Sequence, residues 1–235
     1  MAANAIDHFS WFQWIGPLKA IPDFIVHAFF VAALLVAGAF FAHSKLKRVR
    51  ENVLPDPKMN IKTLFELYTD FILGIMRGVM GDHAPHFLPL IGSVFIYVFV
   101  SNAIGLIPGF QISTTNLSTN LAVSLTVFVY YNVMGIKENG LVGYMKHFMG
   151  PIIWLAPLML VIELIGHVVR PLSLSLRLAG NMNGDHMVLG IFSELVPIGV
   201  PVIFLFLGLF VSLVQAFVFS LLSMIYIAMA TAHDH

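Results

Sequence analysis

Two stretches of this chain contain no Asp, Glu, Lys or Arg at all: Phe87 to Ile136 and Leu195 to Ala232. Runs of that length are hard to keep in water, because a folded surface needs polar groups to cover it. A soluble domain has about 25% charged residues, whereas this chain of 235 residues has 10% charged and 59% hydrophobic residues. A bilayer core about 30 Å thick is crossed by roughly 20 apolar residues in a helix. The two windows therefore predict two spans and one longer element. The charges that do occur are segregated: of the 12 Lys and Arg and 12 Asp and Glu, half lie between Lys45 and Asp82. The reading is an all-α integral membrane protein, one membrane domain over 1–235 with about five embedded helices and one amphipathic surface helix. A formal net charge of zero gives no bulk field toward nucleic acid. The absence of cysteine excludes disulfides and thiolate metal sites.

Residues 1–23, with Trp11, Trp14 and Pro17, read as an interfacial lead-in, and 24–43 as the first span. Lys45, Lys47, Arg48 and Arg50 follow that span instead of preceding it. This argues against a cleaved signal and predicts an outside N-terminus with residues 44–82 cytoplasmic. Between 60 and 80, Ile61, Leu64, Phe65, Tyr68, Phe71, Ile72, Ile75, Met76 and Val79 recur at helical spacing. Lys62, Glu66, Asp70 and Arg77 fall opposite, so the segment is expected to lie flat on the cytoplasmic surface, with packing on protein as the alternative. Spans follow at 87–107, closed by Pro108–Gly109, and at 117–135. Lys137, Glu138 and Lys146 then return residues 136–150 to the cytoplasm.

The segment 151–194 is apolar overall yet contains Glu163, His167, Arg170, Arg177, Asp185, His186 and Glu194. With Glu163 at zero on a helical wheel, His167 falls near +40°, Arg170 near −20°, Arg177 near −40°, Asn181 near 0° and Asp185 near +40°. These six form one polar stripe on the order of 33 Å long, and His186 lies off it near +140°. Each charge in hydrocarbon costs several kcal/mol, so aligned charges imply a hydrated groove, a partner subunit or internal salt bridges. Arg177 resists the last reading most, because its nearest carboxylate on the stripe is two turns away. After Pro197, Gly199 and Pro201, the last apolar run, 198–232, holds a helix of about 46 Å, longer than the bilayer is thick. It has to tilt, bend or protrude.

Several chemistries fit poorly. Voltage sensing needs a cation at every third position, and Arg170 and Arg177 are seven apart. The intramembrane hydrolase arrangements Gly-x-Ser-Gly and His-Glu-x-x-His do not occur. His83 and His86 have i, i+3 spacing but sit in a proline-flanked Gly-Asp-His-Ala-Pro-His loop, so no metal or other cofactor is assigned. A stand-alone secondary transporter would carry its own midplane site, often with inverted repeats, and no such symmetry is visible. A structural anchor would not need the charged stripe.

The run Arg170-Pro-Leu-Ser-Leu-Ser-Leu-Arg-Leu-Ala-Gly-Asn-Met-Asn-Gly-Asp-His186 resembles the signature of subunit a of F-type ATP synthases, Pro-x-Ser-x-x-x-Arg-Leu-x-x-Asn-x-x-x-Gly-(Glu or His). Val214-Gln-Ala-Phe217 and the Ile225-Tyr-Ile ending are similar to that family as well, and the likeness extends over nearly the whole chain. The resemblance implies two long C-terminal helices tilted against a ring of c subunits, with two aqueous half-channels ending at that ring. It implies peripheral-stalk b subunits and a soluble ATPase head as further partners, and a bacterial plasma membrane as the location. ATP chemistry would then occur in other subunits. Arg177 matches the arginine between the half-channels, Asn181 and Gln215 the polar residues beside it. Glu163 matches an acid of the cytoplasmic half-channel, and His186 a Glu-or-His position of the outer one. His167 and Arg170 are possible supporting polar groups. The chain departs from the pattern at Gly208, where the partner of His186 often stands, with Asp185 or Glu194 as candidate substitutes. It departs again at Asn116, which replaces an acid of the outer loop.

Overall fold

A computed structural model describes residues 21–46, 61–107, 110, 112–149, 155–195 and 199–231. The interfacial lead-in, the basic run after Lys45 and the Pro108–Gly109 break lie wholly or largely outside these residues. Among those described there are six α-helices: α1 (Asp23–Leu46), α2 (Ile61–Met80), α3 (Ala84–Ile104), α4 (Leu117–Met149), α5 (Ala156–Leu195) and α6 (Val200–Thr231). Two one-turn 3₁₀ segments, Gly81–His83 and Ser113–Thr115, precede α3 and α4. Five helical runs are long and apolar enough to cross a membrane: Asp23–Phe41, Thr63–Ile104, Leu117–Gly140, Pro157–Ser193 and Pro201–Thr231. The chain is an all-α, multi-pass membrane protein. Its contacts divide it into two units, one up to Ser113 and one from Thr114 onward.

In the first unit, α2 and α3 form a hairpin. Ile72, Met76 and Met80 recur every fourth residue on the buried side of α2, and the Tyr68 hydroxyl donates to the Gly92 carbonyl at 2.5 Å. The expected split between one apolar and one charged face is incomplete. Leu64, Leu67 and Phe71 are exposed, as are Glu66, Asp70 and Arg77. The apolar residues of α2 thus serve two faces, one packed on protein and one turned outward. Helix α3 begins at Ala84, earlier than the 87 expected, because Pro85 sits in the first turn, where its missing N–H has no intrahelical partner to lose. Phe29, Val36, Phe40 and Phe41 of α1 are exposed, a surface suited to lipid and not to water.

The second unit is the packing of α4, α5 and α6 on one another. Asn120, Ser124, Val127, Tyr131 and Met134 form a buried stripe along α4. The helix was expected to end at Gly135, but it continues through Lys137 and Glu138 to a break at Gly140, where φ is 70° and ψ 163°. Only glycine takes that conformation cheaply. The turn brings Tyr144 back onto its own helix, and its ring covers Gly135. A Cβ at Gly135 would lie 2.6 Å from the Tyr144 ring and 3.0 Å from the Ala230 carbonyl oxygen. Gly135→Ala is therefore expected to destabilise this end of the unit by about 1–3 kcal/mol. A lower thermal midpoint of the detergent-solubilised protein would register it, and an unchanged midpoint would refute the close fit. Asn139 pins the same corner by donating from Nδ2 to the Ala230 carbonyl at 3.0 Å.

Helix α5 has 40 residues and α6 has 32, about 60 and 48 Å at 1.5 Å per residue. Both exceed the hydrocarbon thickness. Pro171 lies inside α5 without ending it, and the Ser175 hydroxyl donates to the Pro171 carbonyl at 2.8 Å.

Candidate ion-path site

The polar stripe of α5 is continuous as a helix but faces three different surroundings. His167, Leu174, Ser175, Leu178 and Met182 are buried. Glu163, Arg170 and Asp185 are half-buried, and Arg177 and Asn181 are exposed. A helical wheel shows only that such residues share an arc. Where the neighbouring helices end decides which of them are covered.

At the Glu163 end, Arg170 Nη2 donates to Glu163 Oε1 at 3.0 Å, with the two side chains 19% and 39% exposed. The pair is seven residues apart, two turns along one face. The guanidinium also lies over the Tyr226 ring of α6, 5.3 Å from its centroid, a cation–π geometry. One of the two stripe arginines is thus satisfied inside the chain, as the salt-bridge reading allowed. Arg177 differs: among the described residues no carboxylate pairs with it.

His167 turns toward α4. Its Nε2 lies 2.8 Å from Asn132 Oδ1 and its Nδ1 3.5 Å from the Tyr131 hydroxyl. The Asn132 Nδ2 donates to the Phe128 carbonyl at 2.7 Å. That bond fixes which way the amide points, so Oδ1 faces His167 as an acceptor and Nε2 carries the proton. The Tyr144 hydroxyl donates to the same Oδ1 at 2.8 Å. Phe128 and Tyr131 flank the imidazole, with centroids at 4.8 and 5.4 Å.

Nearer the middle of α5, Asn120 Nδ2 donates to the Thr114 carbonyl at 2.7 Å and the Ser175 carbonyl at 3.3 Å. The Ser124 and Ser175 hydroxyls are 2.7 Å apart. Asn120→Leu would remove two hydrogen bonds to carbonyls, at about 0.5–1.5 kcal/mol each. Reduced yield of folded protein, restored in part by Asn120→Gln, is the expected outcome.

Apart from Arg177 and Asn181, the outward side of α5 is largely apolar. Ile162, Val169, Leu176, Met187 and Val188 are exposed. Gly166, Gly180 and Gly184 lie within about 60° of Arg177 on the wheel, and a Cβ at any of them would meet nothing within 4 Å. The result is an exposed cation, with Asn181 one turn away, on a largely apolar outward side of α5 that carries three glycines.

Of the outer-path candidates, Asp185 and His186 are both half-buried, and the Asp185 carboxylate lies within electrostatic reach of His186. Asn183, next to them, donates from Nδ2 to the Thr115 carbonyl at 3.0 Å. Asn116 follows in that turn, half-buried, its carbonyl accepting from the Asn120 N–H at 3.4 Å. Gly208 is buried on α6, and the Ser212 hydroxyl donates to its carbonyl at 2.7 Å. Gln215 is half-buried on α6. The side chain of Glu194 lies outside the described residues.

Tyr131, Asn132, Tyr144, Asn120, Ser124 and Tyr226 were missed by sequence reasoning, which followed formal charges. The available signal was two asparagines, 120 and 132, inside a span that holds no charged residue. A buried amide has to find partners, so each predicts a polar contact on another helix.

The model of the family described as ATP synthase A chain matches residues 25–228. The ATP synthase subunit a of Bdellovibrio bacteriovorus is 50% identical over 205 residues, 87% of this chain and 89% of that protein. The ATP synthase subunit a 3 of Pelobacter propionicus is 42% identical over 226 residues, 95% of each chain. The subunit a of Trichlorobacter lovleyi is 44% identical over 211 residues, 90% of this chain and 88% of that protein.

Proposed function

The chain belongs to the ATP synthase A chain family, and on that premise we propose that it is the proton-conducting stator subunit of the membrane sector, with Arg177 as its coupling charge. The observation that carries this reading is the contrast between the two stripe arginines. Arg170 is paired within the chain, whereas Arg177 stands exposed on a largely apolar outward side of α5 that carries three glycines. A permanent charge in that setting calls for a carboxylate from elsewhere, and a ring of c subunits, each presenting one, supplies it.

The mechanism follows from guanidinium chemistry. Arginine does not deprotonate in proteins, so Arg177 cannot pass a proton along and blocks a direct leak between two wet cavities. It favours the ionised form of a carboxylate that approaches it, which drives proton release toward one side. Away from Arg177, in lipid, desolvation favours the protonated form, and the carboxylate can travel. Rotation of the ring and passage of protons become one process.

Titratable groups suit the two approaches. Glu163 serves the cytoplasmic half-channel, with Arg170 as its counter-ion. His186 serves the outer one, with Asp185 beside it in place of the partner lost at Gly208. Asn181 and Gln215 orient the path near Arg177 without titrating, and Glu194 and Asn116 belong to its outer end. The N-terminus is outside and residues 136–150 are cytoplasmic, in a bacterial plasma membrane with α5 and α6 tilted against the ring.

Affinity purification from gently solubilised membranes tests the assignment. The chain should bring with it a c-ring, the b subunits and a soluble ATPase. A stand-alone transporter would instead purify alone and transport after reconstitution by itself.

A further inference from the structure

The Glu163 end of the stripe carries more organisation than an ion pair needs. Five side chains from α4, α5 and the segment after Gly140 converge on it in a connected order. Tyr144 and His167 share Asn132 Oδ1 as acceptor, each at 2.8 Å. His167 Nδ1 faces the Tyr131 hydroxyl, and the Tyr131 ring packs, 6.3 Å between centroids, on the Tyr226 ring that lies under the Arg170 guanidinium. Arg170 reaches Glu163. The hydrogen bonds have their directions set. Asn132 Nδ2 is committed to the Phe128 carbonyl, so Oδ1 has to accept. His167 then donates from Nε2 and accepts at Nδ1. The Tyr144 hydroxyl is a phenol, so it is a proton donor at physiological pH.

We propose that Tyr144, Asn132, His167 and Tyr131 are positioning residues that hold the Arg170 guanidinium between Glu163 and Tyr226, and so fix the Glu163 carboxylate as a paired group on the proton path. The inference rests on the reading of Glu163 as part of that path. Arginine has a long, flexible stem, and a pair that is only half-buried gains little by itself. Holding in place the ring beneath the guanidinium converts a loose contact into a defined one. The Gly140 turn is the element that makes this feasible, because it returns Tyr144 to the level of Asn132. Without the turn, a tyrosine twelve residues on would lie three turns away along the helix. The same chain keeps Arg170 from competing with Arg177 for an arriving carboxylate.

The test uses the whole complex in inverted membrane vesicles, with ATP-driven proton pumping normalised to the amount of assembled complex. Tyr144→Phe removes a hydroxyl and keeps the ring on Gly135, so assembly should be intact. His167→Leu removes both bonds of the imidazole, whereas His167→Gln can still donate to Asn132. Pumping is expected to fall about threefold to tenfold in Tyr144→Phe and His167→Leu, with the two effects not multiplying in the double variant because both cut one chain. His167→Gln should restore at least half of the rate, and Glu163→Gln should be impaired on its own. Equal losses in His167→Gln and His167→Leu, or multiplying effects in the double variant, would overturn the positioning role while leaving Glu163 on the path. Unimpaired pumping in Glu163→Gln would overturn the reading of Glu163, and the inference with it.

Discussion

Vesicles whose complex carries Arg177→Ala are expected to show no ATP-driven proton pumping above that of vesicles lacking the complex, with the complex assembled at its normal level. The reasoning is geometric first. Arg177 is exposed, and no described carboxylate pairs with it, so the packing of α5 on α4 and α6 does not depend on its charge. Removing it should leave the fold intact and remove the function. With alanine in its place, nothing favours the ionised form of the arriving carboxylate, and nothing separates the two cavities. Passive proton leak through the assembled sector should rise. Arg177→Lys keeps a positive charge but loses the planar fork and can itself deprotonate in an apolar setting, so it should not restore pumping. Normal pumping in Arg177→Ala would remove the basis of the assignment.

The second large effect concerns the outer approach. His186→Leu should slow proton flux on the order of tenfold, less than the 10²–10⁴ typical of a lost proton-transfer group, because Asp185 beside it still titrates. His186→Leu combined with Asp185→Asn should then reduce flux toward background. Flux that follows Asp185→Asn alone would make Asp185 the principal carrier. Flux unchanged in the double variant would move the outer path to Glu194. The measurement is the initial rate of acidification in inverted vesicles at several external pH values.

Much of the architecture was legible because lipid is an unforgiving solvent. Charge-free runs have few options in it, and the windows at 87–136 and 195–232 produced α3, α4 and α6. The register of α5 was legible for the same reason: helical periodicity put Glu163 and Arg170 on one face, and they pair there. The contacts between helices were not legible. Nothing local in the sequence says that Asn132 will meet His167, 35 residues later, or that a positive φ at Gly140 will return Tyr144 to Asn132. Residues 136–150 carry charges and read as a loop, so the continuation of α4 was lost along with the turn that breaks it at Gly140. The split of the stripe between buried His167 and exposed Arg177 likewise depends on which neighbours cover α5, a tertiary property. The two faces of α2 show the same limit, since periodicity locates apolar residues without saying which of them meet protein.

The central claim is that the face of α5 bearing Arg177 rests against the carboxylate-bearing helix of another subunit. The chain has no cysteine, so one introduced thiol reports one position. Gly180→Cys lies on the open face beside Arg177, and Ser175→Cys on the buried face toward α4. The decisive measurement is disulfide cross-linking of each, in assembled complex, to a cysteine one helical turn from the ring carboxylate of the c subunit. The account predicts a cross-link from Gly180→Cys and none from Ser175→Cys. No cross-link from Gly180→Cys in fully assembled complex, or one formed equally well from Ser175→Cys, would contradict it.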